Sequence, residues 1–394
     1  MASIPYIPSH HQALILTSTE IGLELKTVPT PTPGRGTVLV RVEAASVISY
    51  HRDIFSGARN YPLPSPTQDG GLGFAGGFSA VGRVAAVGPD ATLLAPGQLV
   101  FADCVIRARD DPARVFYLVG VSAGDTDGSR HLANRVWRDG ATSPCPLENC
   151  LPLDEHRLCG QLGYSAADLA YASYLGVAFG GLRDIRLEPG ETLVVCPATG
   201  GFGGAGVLTA VAMGARVLAM GRNEAELARL RARVAVTFTA GNSCVETVRI
   251  TGDAEADAQA LVAAAGGAPV DAVLDLTPPQ AAGNSTHLRG AMRALRRGGR
   301  VSLMGMTADF GDRAIAAKNL TLKGKVMYER EDLVQFVKML EAGLFPHNVQ
   351  GGNSGKVEGN RFVDTMVFRL DQAKEALDAA AEHTGLGIHV VFTP

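Results

Sequence analysis

Between residues 12 and 48, apolar and polar positions alternate in three short runs, QALILTS, LELKTVP and TVLVRVEAASV, separated by Pro and Gly. A period of two turns one face of a strand inward and the other toward water, so these runs predict antiparallel strands. Residues 80–101, AVGRVAAVGPDATLLAPGQLVF, continue the pattern through Gly-Pro turns. From about 103 to 140 the pattern weakens to one apolar island, FYLVGV, and predicts a long surface insertion with partial structure. Past about 165 the period changes. Helix-like segments alternate with short apolar strands, TLVVC, RVLAM, AVTFTA, AVLDLT and RVSLMG. Such alternation predicts βαβ units in a parallel sheet, hence an α/β fold. The tail, which ends in IHVVFT, is expected to fold back and complete the first domain. The expected boundaries are 1–173, 174–326 and 327–394, with the insertion inside the first.

Composition narrows the function. The chain has 394 residues, 46 % of them hydrophobic, which suffices for two cores. Its net charge of −3 and its lack of Lys/Arg clusters argue against a nucleic-acid partner. The start, MASIPYIPSHHQ, lacks the apolar core of a signal peptide, and no apolar run is long enough to span a membrane. A cytoplasmic protein with a small-molecule substrate is the expectation. Cys145, Cys150 and Cys159 lack the paired spacing of a structural zinc site, so no metal is expected there.

The stretch VVCPATGGFGGAG carries the clearest motif. Gly201-Phe202-Gly203-Gly204-Ala205-Gly206 matches G-x-G-x-x-G, behind a strand-like TLVVC and before a helix-like VLTAVAMG. In that context the first glycine permits a tight turn, the second admits a pyrophosphate, and the third lets helix and strand pack closely. The helix N-terminus offers N–H groups and a positive dipole end to phosphate. Thr199, Gly201, Phe202, Gly203, Gly204 and Gly206 are therefore expected to bind a dinucleotide, with Gly305 and Met306 from a later strand end. The second strand ends in Ala219-Met220-Gly221-Arg222-Asn223, without the acid that would hold the ribose hydroxyls of NAD. Gly221 leaves room, Arg222 can pair with a 2′-phosphate, and Asn223 stands beside them, so NADPH is the expected cofactor.

The order of parts resembles the medium-chain dehydrogenase/reductase superfamily over almost the whole chain. The resemblance rests on Tyr50-His51-Arg52-Asp53, on Gly76-Gly77-Phe78-Ser79-Ala80-Val81-Gly82-Arg83-Val84, on Pro96-Gly97-Gln98-Leu99-Val100, on the glycine loop, and on Gly298-Gly299-Arg300-Val301. It implies a GroES-like β domain with a Rossmann cofactor domain inserted. The WRDG insertion and the PLENC segment are similar to those of a microbial, largely fungal, alcohol-dehydrogenase-like subgroup. Relatives often pair as homodimers through sheet edges, and LTLKGKVMY is placed to supply such an edge. In the superfamily's alcohol dehydrogenases the zinc-binding Cys and His and the nearby Glu align with Tyr50, Phe78 and Ser79, and the later Cys falls near Ser173. These are poor or impossible zinc ligands. The segment Ala141–Cys145 is also shorter than in relatives, which alters the expected substrate cleft.

Zinc-free members of the superfamily are mostly reductases of activated double bonds. An enone accepts hydride at its β carbon and spreads the charge into an enolate, which hydrogen-bond donors stabilise. The resemblance places Tyr61 where enoyl reductases carry a catalytic tyrosine. Tyr50 stands at the lost cysteine position, and His51 is a candidate for relaying protons or orienting a ribose hydroxyl. Asp53 is read as fixing local backbone. Phe78, Phe179 and Met306 are expected to line an apolar pocket. Three readings stay open: reduction of an enone or quinone, possible in secondary metabolism; metal-free carbonyl or alcohol chemistry; and a non-redox enzyme, such as an isomerase or cyclase, or a binding protein.

Overall fold

The computed structural model describes residues 7–63, 74–137, 144–238, 244–346, 362–383 and 385–394. Two compact units divide the chain: Met1–Ser173 with Thr365–His383 and His389–Pro394, and Tyr174–Asp364 with Thr384–Ile388.

In the first unit, His10–Ser18 pairs antiparallel with Gly22–Pro29 and with Phe74–Ala75. The larger sheet runs in the order Cys150–Pro152, Leu99–Ala102, Ala80–Val87, Thr37–Val47, Ile388–Thr393, Asp364–Arg369. The helix Ala373–Glu382 covers part of it, and Ala376 and Ala380 pack with Leu14, Val47, Val390 and Phe392. The alternating apolar residues of the N-terminal runs supply this core, as a period of two requires. The insertion has its own small core. Val105–Arg107 pairs with Phe116–Leu118, the helix Asp127–Trp137 follows, and Ile106, Tyr117, Ala123 and Ala133 are buried together. The expected change at Ala141–Cys145 lies largely outside the described residues.

The second unit is a six-stranded parallel sheet in the order Val245–Arg249, Arg216–Gly221, Thr192–Cys196, Val270–Asp275, Leu295–Leu303, Thr321–Gly324. Numbered along the chain this is 3-2-1-4-5-6. The order reverses between the first and fourth strands, which opens a crevice beyond their carboxyl ends. Cys196 and Asp275 mark those ends.

Two expectations need correction here. AVTFTA is not a strand, because the helix Glu224–Thr237 runs through its first residues and the third strand is Val245–Arg249. Leu227, Leu230 and Val234 are buried at helical spacing, and Asn223 caps the helix through its side-chain oxygen. That periodicity overrides the β-branched run that suggested a strand. The return to the first unit also starts later than 327. The helix Arg330–Glu341 belongs to the second unit, burying Leu333, Phe336, Val337 and Leu340. Among the described residues no helix is long and apolar enough to cross a membrane.

Candidate active site

In the second unit the strand Thr192–Cys196 leads through Pro197–Gly200 into the helix Gly201–Ala212, with Gly200 as its N-cap. The helix begins earlier than the apolar pattern suggested, and this shifts the glycine roles. A Cβ on Gly203 would lie 2.1 Å from the Pro197 carbonyl oxygen and 2.9 Å from Ala198. Gly203 therefore performs the close helix–strand packing that the motif assigns to its third glycine. Gly200 has nothing within 4 Å of its Cβ position, so its face is open. The working frame is Ala198, Gly200 and Gly203. Gly204 and Gly206 pack instead against Leu386 and against Leu274. Phe202 stacks on Tyr174, with ring centroids 4.5 Å apart.

Gly221 is buried, and a Cβ there would come 2.7 Å from the Thr199 methyl. Its bareness thus seats the loop rather than leaving room for phosphate. Asn223 accepts hydrogen bonds from the N–H groups of Ala225 and Glu226, so its side-chain oxygen serves the helix cap. Arg222 is exposed and forms no ion pair among the described residues.

Beyond the first and fourth strands sits a polar cluster that the sequence reading missed. Thr277 Oγ1 donates to Asp275 Oδ1 at 2.5 Å and lies 2.8 Å from His287 Nε2. Thr307 Oγ1 donates to Asp275 Oδ2. Burial raises the Asp275 pKa and lowers that of His287, whose protonation Asp275 and Asp257 favour and Arg222 opposes. A Cβ on Gly305 would come 2.3 Å from the Thr277 nitrogen, so only glycine lets the two strand ends lie side by side. There Met306 N–H donates to the Thr277 carbonyl, and the Met306 side chain is exposed. Cys196, Asp275 and His287 hold ligand-capable atoms within 4.8 Å of one another. Asp275 already accepts a hydroxyl proton on each oxygen, so the group reads as a hydrogen-bond network. Its sequence signal is the DLT that begins on the last residue of the fourth strand.

In the first unit, the short helix His51–Phe55 is preceded by Tyr50 and followed by a turn. Tyr50 and Tyr61 lie with ring centroids 6.5 Å apart. Burial, and then the neighbouring Tyr61, push the Tyr50 hydroxyl well above its ordinary value, against the pull of Arg59. Tyr50 therefore keeps its proton near neutrality. His51 is fully buried, stacked on Phe55 at 4.9 Å and edge-on to Phe78. Its Nδ1 accepts the Ile48 N–H, so the neutral ring carries its proton on Nε2, which has no partner among the described residues. Burial pulls its pKa down to about 3. A cationic relay at His51 is thus disfavoured, and it is left as a neutral donor.

The zinc-ligand positions implied by the superfamily do not fit the ion. Phe78 has no donor atom. Ser79 Oγ accepts the Cys104 N–H, and Ser173 Oγ bonds Ser46 and the Ala170 carbonyl in the interior. Phe179 also departs from expectation: it is 3 % exposed and packs on Phe336 inside the second unit.

Comparisons with known proteins agree with this layout. The family model for the alcohol dehydrogenase GroES-like domain matches residues 34–141. An alcohol dehydrogenase from Moraxella sp. (strain TAE123) is 24 % identical over 90 % of this chain and 99 % of its own length. A cobalt- and zinc-bound thermostable alcohol dehydrogenase from Pyrobaculum aerophilum matches with a TM-score of 0.67 at 21 % identity, covering 98 % of this chain and 100 % of that one. A crotonyl-CoA carboxylase/reductase matches with a TM-score of 0.73 at 16 % identity, covering 100 % and 90 %. The chain thus joins an alcohol dehydrogenase GroES-like domain, matched over residues 34–141, to a Rossmann unit with a parallel sheet ordered 3-2-1-4-5-6, an α/β fold it shares with these proteins.

Proposed function

We propose that the protein is an NADPH-dependent, zinc-independent reductase of an activated carbon–carbon double bond in an enone- or quinone-like small molecule. The observation that carries this reading is the open face of Gly200 at the start of the Gly201–Ala212 helix, with Arg222 just past the neighbouring strand and no acid beside it. The N–H groups at the start of the Gly201–Ala212 helix would hold the pyrophosphate, and the Arg222 fork would pair with the 2′-phosphate. NADPH, once bound, would supply a hydride for the β carbon of the substrate. Tyr61 would donate a hydrogen bond to the developing enolate oxygen, and a proton from solvent water would reach the α carbon to complete the reduction. Tyr50 and His51 are further neutral donors.

Tyr61→Phe is expected to lower kcat roughly 100-fold while leaving NADPH affinity unchanged. Steady-state rates of NADPH oxidation with enones check this, and an unchanged kcat would remove Tyr61 from the mechanism. Dialysis against a strong chelator is expected to leave the rate unaltered. Loss of activity restored by zinc would contradict the zinc-independent reading.

The Moraxella relative's name favours a second reading, oxidation of an alcohol or reduction of a carbonyl. Product analysis separates the two, since a saturated ketone and an allylic alcohol have the same mass but different spectra. An isomer of the substrate would instead indicate non-redox chemistry. The outer strand Thr321–Gly324 leaves a sheet edge on which a homodimer would pair.

A further inference from the structure

We propose that Arg59 is the docking point for a carboxylate on the substrate, so that the reductase acts on a conjugated oxo acid. The inference rests on the reductase reading above for its chemistry, and on the first unit for its geometry. Gly57 turns the chain with φ of +74°, and Arg59 N–H then donates to the Asp53 carbonyl while Tyr61 N–H donates to the Arg59 carbonyl. This fixed turn lays the Arg59 guanidinium 4.3 Å from the Tyr50 ring centroid and 5.7 Å from that of Tyr61. Stacking on aromatic faces uses the flat side of a guanidinium and leaves its in-plane N–H groups to bond an anion.

The charge has no carboxylate partner among the described residues. Arg52, one helix earlier, pairs with Asp378 at 3.2 Å, whereas Arg59 is half-buried against two tyrosines and pairs with none. An arginine cannot discard its charge. A planar fork held without a counter-charge is complementary to a carboxylate or a phosphate. It is held by the same two tyrosines that offer hydroxyls to the reacting oxygen. An anion on Arg59 would therefore belong to a short molecule whose acceptor group reaches Tyr61. The other source of such an anion is a phosphate of the cofactor, and the experiment separates the two.

Levulinate and methyl levulinate are titrated calorimetrically into the protein, with and without NADP+, for the wild type and for Arg59→Met. Neither probe has a carbon–carbon double bond, and NADP+ carries no hydride, so binding is read apart from turnover. The acid is expected to bind roughly 10- to 100-fold more tightly than the ester, and Arg59→Met is expected to abolish that preference. Arg59→Lys keeps the charge without the fork and is expected to retain a smaller preference; thermal melting confirms that both variants fold. Equal binding of acid and ester, or a preference that survives Arg59→Met, would overturn the proposal. So would weaker NADP+ binding by Arg59→Met with the acid preference intact, since the anion would then be the cofactor's phosphate. Acetylacrylate and its methyl ester are then tried as substrates with NADPH. If the acid preference holds but neither is reduced, the anion site stands and the reductase reading falls.

Discussion

Gly203→Ala is expected to destabilise the protein and abolish cofactor binding, while Gly200→Ala is expected to leave stability unchanged and weaken cofactor binding alone. The two glycines lie three residues apart, one capping the helix and one in its first turn, and their surroundings differ. A methyl group on Gly203 would sit 2.1 Å from the Pro197 carbonyl oxygen and 2.9 Å from the Ala198 backbone. These are backbone atoms, which cannot rotate away as a side chain would, so the helix must move off the strand. Overpacking of this kind costs about 1–3 kcal/mol or more. For a unit of this size that is a fall in Tm of roughly 2–4 °C per kcal/mol. The shift would also misdirect the N–H groups at the start of the helix. Gly200 meets nothing within 4 Å and has an extended backbone with φ of −86°, which alanine adopts freely. Its methyl would occupy only the space a phosphate needs. Thermal melting and cofactor titration of both variants check the pair. A Gly200→Ala protein with unchanged affinity would place the pyrophosphate elsewhere.

Arg222→Gln is expected to lower NADPH affinity about 10- to 100-fold and to change NADH affinity little. A charge-assisted bond from a guanidinium fork to phosphate contributes about 1.5–3 kcal/mol, and each 1.4 kcal/mol is a factor of ten. The side chain is exposed, so the wild-type preference should shrink as salt rises. Loss of equal affinity for both cofactors would mean that Arg222 supports the loop or touches a group common to both.

Some of this was legible in the sequence because it is periodic. Four of the five dense apolar runs could be read as strands by eye; the fifth, AVTFTA, begins as the end of an amphipathic helix. VETVR, the real third strand, has only two apolar residues, Val245 and Val248, both buried and three positions apart. The glycine motif identified the loop but not its frame, because five glycines fit the pattern in more than one register and only the start of the helix decides. The return to the first unit was placed too early because the amphipathic helix Arg330–Glu341 looks alike whichever core it covers. The Asp275–Thr277–His287 network and the Arg59 stack were out of reach for another reason. Both join residues through loop geometry, and no period in the sequence records where a loop puts a side chain.

The central claim is that the loop and Arg222 form an NADPH site. Calorimetric titration of the purified protein with NADPH and, separately, with NADH tests it most directly. The account predicts tight, saturable NADPH binding with NADH at least tenfold weaker, the gap closing in Arg222→Gln. Equal affinity for the two would contradict the assignment of Arg222, and no binding of either would contradict the cofactor site itself.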